Sequence, residues 1–365
     1  MALQMTSAGL FGIGPQTGLG SAASSFYWFP LVNCDFGPLE GQDNLPWEIG
    51  GKALPRGRFK TGIVFGGNVD IVPRLDYNIG WLLYAAVGDH SQHDDQTISQ
   101  VIAGTGSNTG VTTYQFYFDS SDEFAIKYLT AHKLLPHDTD ASKVGEIAED
   151  CRVTALTITA TPAAVVTMRF GLLGRATATT VWDVNPGWSA TYDQEDTFMV
   201  TSCTGDVQIE GVSYDTGAVT ITLANNVLPP ARARKIGSGH PIDFPVLSRA
   251  LTIATTCYVS DYELYMDTFS EATGDRGWSC TPYSGDFDIT LQSAAEIAGA
   301  ASTAYYQMRI RTTQNNVNFM VRPIVLVPNQ PVVFQLIGTV QAPSSGHPFD
   351  IYFQTGDSTG FTWPT

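Results

Sequence analysis

The sequence predicts a mainly β protein of two related halves, each carrying one short α-helix. Stretches of apolar–polar alternation recur along the chain, most plainly in CRVTALTITATPAAVVTMRFGLLGR at 151–175, where two alternating runs flank a Thr-Pro-Ala turn. Helix signals are confined to two short segments. The order strand, short helix, strand, strand, long hairpin then occurs twice, with slight residue identity between the copies.

The elements read in order as follows. Residues 1–25 are rich in Gly, Ala, Ser and Thr and predict a mobile arm, followed by strand composition in SFYWFPLV at 25–32. Gly57–Leu75 is a strand region, and DYNIGWLLYAAVGD reads as a helix capped by Asp76 or Asn78 and stopped at Gly88. A polar connection at 90–110 precedes strands near Val111–Phe118 and Phe124–His132, and a second loop at 133–149 leads to the opening hairpin. Residues 176–204 lack periodicity and predict a linker. DVQIEGVSYDTGAVTITLANNV reads as a hairpin turning at Asp215-Thr216-Gly217, SRALTIATTCYVS as a strand, and SDYELYMDTFSEA as a helix opened by Ser260 with Glu263 three residues on. Strands follow near Tyr283–Gln292, Ala304–Arg311, Val317–Val327 and Val332–Val340, the last two joined by a VPNQPV turn. The expected division is an arm (1–25), a first domain (26–175), a linker (176–204), a second domain (205–342) and a C-terminal tail (343–365).

Composition narrows the function. A chain of 365 residues with 43% hydrophobic content buries a substantial core. Its nearest approach to a long apolar run is Ile79–Gly88, well short of the ~20 residues a membrane helix needs. The N-terminus shows neither a basic region nor an apolar block of signal length, so export by that route is not expected. Five widely spaced cysteines without a Cys-x-x-Cys pair predict reduced thiols rather than a disulfide or zinc framework. A formal charge of −16 opposes electrostatic binding of a nucleic-acid backbone, although a like-charged surface suits a passage through which DNA slides.

Motifs that carry chemistry are weak throughout. His90, His93, Asp94 and Asp95 are metal-ligand types, but His-x-x-His in a polar loop without a third distant ligand predicts no metal. GIGPQTGLG and GTGSNTG share only glycine content with phosphate loops, and GSGHP at 237–241 reads as a turn, since a Gly-x-Ser-x-Gly elbow is missing. Catalytic, cofactor-binding and metal residues are therefore all expected to be none. Two segments stand out as contact surfaces instead: the aromatic run Phe26, Tyr27, Trp28 and Phe29, and the basic cluster Arg232, Arg234 and Lys235 in an otherwise acidic chain. In the 151–175 hairpin, Val153, Leu156, Ile158, Val166, Met168 and Phe170 form the core face, with a break in period between Val153 and Leu156 that marks a bulge. Thr154, Thr157, Thr159, Thr167 and Arg169 form the opposite face, toward a lumen or a neighbouring chain.

In order and spacing, GNVDIVPRLDYNIGWLLYAAVGD, TYQFYF, the 151–175 hairpin, GDVQIEGVSYDTGAVTITLANNV and YELYMDTF resemble the tail tube proteins of long-tailed bacteriophages, over about Arg58–Val340. The resemblance implies two β-sandwich or half-barrel domains, each with a flanking helix, whose sheets join laterally into rings around a lumen. Rings stack into a tube that conducts DNA, without enzymatic activity, cofactor or membrane. With two copies per chain it implies trimeric rings of pseudo-sixfold symmetry, hexamers being the alternative. Other tail proteins would be partners, and assembly would take place in the bacterial host cytoplasm before the protein resides in the virion tail. The rival readings are a carbohydrate-binding or adhesion sandwich using Trp47, Trp182, Trp188 and Trp278, and another virion component such as a capsid decoration or head-completion protein.

Overall fold

Strand alternation resolves into two antiparallel sheets that share a core. The computed structural model describes residues 9–44, 58–75, 78–118, 124–135, 144–175, 182–184, 197–199, 205–259, 262–270, 280–324, 326, 328–343 and 346–364. Its first elements are β1 (Leu10–Pro15), β2 (Tyr27–Pro30), β3 (Asn33–Cys34), β4 (Gly37–Asn44), β5 (Arg58–Ile71), α1 (Asn78–Val87), β6 (Asp89–Asp94) and α2 (Ile98–Ala103). Next come β7 (Thr112–Tyr117), β8 (Leu129–Leu135), β9 (Val144–Ala160), β10 (Thr167–Arg175), β11 (Trp182–Val184), β12 (Gly205–Ile209), β13 (Val212–Ser213) and β14 (Thr216–Val227). The remainder are β15 (Val246–Tyr258), α3 (Glu263–Ser270), β16 (Tyr283–Gly285), β17 (Phe287–Glu296), β18 (Tyr305–Thr312), β19 (Val317–Val321), β20 (Val333–Val340) and β21 (Phe349–Thr355).

The 14-stranded sheet runs β16-β19-β20-β15-β14-β9-β10-β5-β3, with β4 also on β5, β8 and β11 on β9, and β1 and β2 beyond β8. The 7-stranded sheet runs β13-β12-β17-β18-β21-β7-β6. Each sheet draws strands from both halves of the sequence. In the larger one, β9-β10-β5 with β3 and β4 outermost has the same pairing order as β19-β20-β15-β14. The helices fall at matching points, α1 after β5 and α3 after β15.

The β9–β10 hairpin follows the sequence closely. Val153, Leu156, Ile158, Val166, Met168 and Phe170 are all buried, each contributing about 1.5–3 kcal/mol by leaving water. Gly171 lies opposite Ala155 but Leu172 opposite Val153, so Thr154 is the extra residue of the expected bulge.

Several expectations need correction. Residues 10–15 are not part of a mobile arm: β1 pairs with β2 and β8, and Phe11 and Ile13 are fully buried. Gly12 and Gly14 are what permit this, because a Cβ at Gly12 would lie 2.9 Å from the Trp28 ring and one at Gly14 2.4 Å from Ala23 Cβ. Asp150 anchors the following turn, accepting from Gly20 N–H (2.6 Å) and pairing with Arg175 (2.5 Å). Residues 349–355 are not a tail either, since β21 lies between β18 and β7 with every residue buried. The polar 90–110 connection holds β6 and α2, the latter opened by a Thr97/Gln100 capping box and closed by Gly104. The strand expected at 124–132 lies at Leu129–Leu135.

The proposed 206–227 hairpin does not exist, because β12 joins the small sheet and β14 the large one. Likewise the strand expected at 283–292 divides at Asp286, with β16 in the large sheet and β17 in the small one. Within the expected linker, β11 pairs with β9, and Met199 is buried and bridges to Ser293. Asp76 and Ser260, two of the expected helix-capping residues, lie outside the described residues.

Candidate functional site

The face of the large sheet opposite the core carries a continuous polar row. Cross-strand pairing aligns Asn33, Asp70, Arg169, Thr157, Thr222, Thr252, Thr339, Asn318 and Ser284 side by side across both halves of the sequence. Period-2 alternation produces it: the residues between these point into the core, as Leu156, Leu223 and Leu251 do. Thr157 and Thr222 hydroxyls meet at 3.3 Å, and Ser284 donates to Asn318 at 2.8 Å. The next row along brings Thr167, Thr159, Thr220 and Ala254 together.

Charge on the polar row is confined to one self-neutralising pair. Arg169 donates from Nε (2.5 Å) and Nη2 (2.8 Å) to the two carboxylate oxygens of Asp70. That fork holds the Asp70 carboxyl below the usual carboxylate range and commits two of the Arg169 N–H donors to it, balancing the charge. The row is therefore a surface of hydroxyls and amides whose one charged pair is neutralised within it. Thr154, Thr157 and Thr159 are half-buried, while Thr167 and Arg169 are exposed on this face.

The other sequence-picked residues are placed differently. The aromatic run docks inside the chain: Tyr27 stacks on Trp81 of α1 at 4.8 Å, Phe29 is buried, and Phe26 and Trp28 lie 5.1 and 5.5 Å from the His132 ring. In the basic cluster, Arg234 donates to the Thr61 carbonyl at 2.6 Å, whereas Arg232 and Lys235 are exposed beside a fully exposed Ile236. His90 and His93 sit three residues apart on β6 and so point to opposite faces, His90 among the rings of Tyr84, Phe116 and Phe361. Among the described residues no His/Cys/Asp/Glu group has a metal-holding geometry. Trp47, Trp188 and Trp278 lie outside the described residues.

His132 supplies a pH prediction. Burial pushes its pKa down to about 4 from an ordinary 6.5. Above pH 6.5 both folded and unfolded chains keep it neutral; as pH falls, the unfolded chain takes up the proton first, so stability is lost between about 6.5 and 4. From pH 7.5 to 5 the wild type loses about 2 kcal/mol more than His132→Phe in urea unfolding. Parallel pH profiles for the two proteins contradict the assignment.

Sequence reasoning missed the residues that couple the halves. Asn225 of β14 donates to the Ala86 and Val153 carbonyls (2.9 and 3.0 Å) and accepts from Arg249 Nε (2.8 Å). Arg249 of β15 donates to the Ala86 and Val87 carbonyls (2.9 and 2.8 Å) and lies 3.9 Å over the Phe118 ring. Both thus cap the C-terminus of α1 from the other half of the chain, where carbonyls lack helical partners. An Asn and an Arg in strand-forming segments carry no sequence signal for this.

Fold and surface together define a mainly β protein of two antiparallel sheets, with a neutral polar face spanning the larger one and, among the described residues, no helix able to cross a membrane. The phage tail tube protein family matches residues 6–326, and the chain belongs to that family. It is a structural component of the bacteriophage tail that assembles with other tail subunits. No curated protein matches the chain.

Proposed function

We propose that this chain forms closed rings by lateral sheet extension, that the rings stack into a tube, and that the threonine face lines the channel through which DNA passes. The observation that carries the reading is the polar row, unbroken across both halves and charge-balanced within itself. A polyanion sliding along hydroxyl groups meets no array of free cations to hold it and no array of anions to repel it. The matching order β9-β10-β5-β4 and β19-β20-β15-β14 supports two tube-type copies per chain, the first contained in 26–175 and the second in 205–342, each completed by strands from the other half and from the termini. Two copies favour a trimeric ring of pseudo-sixfold symmetry over a hexamer.

Stacking would use the exposed tip at Arg232, Lys235 and Ile236 against the acidic surface of the next ring, with the Phe26–Phe29 segment supporting it from within the subunit. The role is mechanical and non-enzymatic, exercised in the virion after assembly in the host cytoplasm. Negative-stain microscopy of the purified protein is expected to show rings or tubes with a central channel. A monodisperse monomer under all assembly conditions would overturn the reading.

A further inference from the structure

The chain contains, once and internally, the junction that a ring needs repeatedly. β14 of the second strand set pairs with β9 of the first, placing Ile221 opposite Ile158, Thr222 opposite Thr157, Leu223 opposite Leu156 and Ala224 opposite Ala155. The counterparts of these two strands, β3–β4 and the end of β19, lie toward opposite flanks of the same sheet. Neither has a second strand partner there among the described residues: β3 and β4 pair with β5 alone, and β16 covers β19 only as far as Phe319.

Cross-strand rows set the register of the equivalence. In the first set Cys34, Val69, Phe170 and Leu156 lie in one row; in the second, Val219, Thr255, Leu336 and Val321 do. Leu223 lies four residues beyond Val219 and faces Leu156. The residue four beyond Cys34 is Pro38, which therefore faces Val321 of another copy.

We infer that β3–β4 of one chain pairs antiparallel with the Met320–Ile324 edge of a second copy of this chain, with Leu39 opposite Met320, Pro38 opposite Val321, Gly37 opposite Arg322 and Phe36 opposite Pro323. This rests on the ring reading above and specifies its seam. Three features of the two edges fit it. Leu39 and Met320 are 56% and 60% exposed, and the seam covers both by placing them side by side. Arg322 becomes the diagonal neighbour of the exposed Asp35, an opposite-charge pair. Asp35 N–H bonds inward to Asn68, so by strand alternation the Phe36 carbonyl points outward, where Pro323 has no N–H to offer it; Lys133 Nζ already donates to that carbonyl at 2.7 Å.

Paired cysteines test the seam. In a background with Cys34, Cys203 and Cys280 replaced by Ser, keeping the buried Cys151 and Cys257, Leu39→Cys with Met320→Cys is treated with a short thiol-to-thiol crosslinker and run on a denaturing gel. A ladder closing at the ring size is expected, with each single variant giving none. As a thiol-free arm, Leu39→Lys is expected to abolish rings in microscopy and Met320→Glu added to it to restore them. Rings without the L39C/M320C ladder, or with a ladder from Leu39→Cys and Val212→Cys on the small-sheet edge instead, overturn the seam and leave the ring reading standing. If the unsubstituted protein forms no rings, both fall.

Discussion

Truncation after Ala342 abolishes cooperative folding. The deleted segment contains β21, which pairs with β18 on one side and β7 on the other and is the link between the halves in the small sheet. It carries Phe349, Ile351, Tyr352 and Phe353 into the core, and Gln354 bonds both the Ile98 N–H (2.8 Å) and the Tyr305 carbonyl (2.7 Å). Beyond it, Phe361 and Trp363 pack on Trp81, and the Trp363 indole N–H reaches the Gln16 carbonyl at 2.8 Å. A single buried Phe truncated to Ala costs about 3–5 kcal/mol, and a whole domain is held by about 5–15 kcal/mol. Loss of several such residues exceeds that margin. Thermal and urea unfolding followed by circular dichroism is expected to show no cooperative transition for the truncated chain, and a destabilisation of about 3–5 kcal/mol for Phe353→Ala. A truncated chain that melts like the full one would remove β21 from the core.

Arg249→Ala destabilises the chain by about 3 kcal/mol, and Arg249→Lys recovers little of the loss. The substitution leaves the Val87 carbonyl and Asn225 Oδ1 without the guanidinium that now bonds them, and takes a planar cation off the Phe118 ring. A lysine keeps the charge at the helix C-terminus but cannot serve two carbonyls and an amide oxygen in one plane. Urea midpoints with unchanged m-values are the measurement. A loss within about 0.5 kcal/mol, the range of ordinary surface substitutions, would show that the cross-half cap is not a stabilising contact.

The parts of the fold that were legible in the sequence are those where one sheet face meets water. In 151–175 the threonines alternate with buried residues, so the core face, the turn and even the bulge at Thr154 follow from periodicity, whereas β9 begins at Val144, within the expected 133–149 loop. Where both faces are covered the signal fails. β21 reads FDIYFQT, in which Asp350, Tyr352 and Gln354 alternate with Phe349, Ile351 and Phe353 as in a half-exposed strand, yet every position is buried because β18 and β7, its partners from both halves, are set by long-range pairing. β1 was hidden by Gly12 and Gly14, which looked like flexibility but make room for Trp28 and Ala23. The Thr97-Ile98-Ser99-Gln100 capping box was present in the sequence but opens only a six-residue helix within polar surroundings.

Pairing partners were the least legible level. Alternation tells which face of β12 or β14 is apolar, but not that the two enter different sheets, because that choice is made by long-range contacts. The same holds for the polar row. Thr157, Thr159, Thr167 and Arg169 were identifiable as a non-core face, whereas the neutralisation of Arg169 by Asp70 and the continuation of the row through Thr222, Thr252 and Thr339 depend on registers between distant strands.

A reconstruction of the assembled protein by electron cryomicroscopy is expected to show rings of three chains with pseudo-sixfold symmetry, in which Thr157, Thr222, Thr252 and Thr339 face the channel. A ring with those threonines on its outer wall, or an assembly without a channel, would contradict that arrangement.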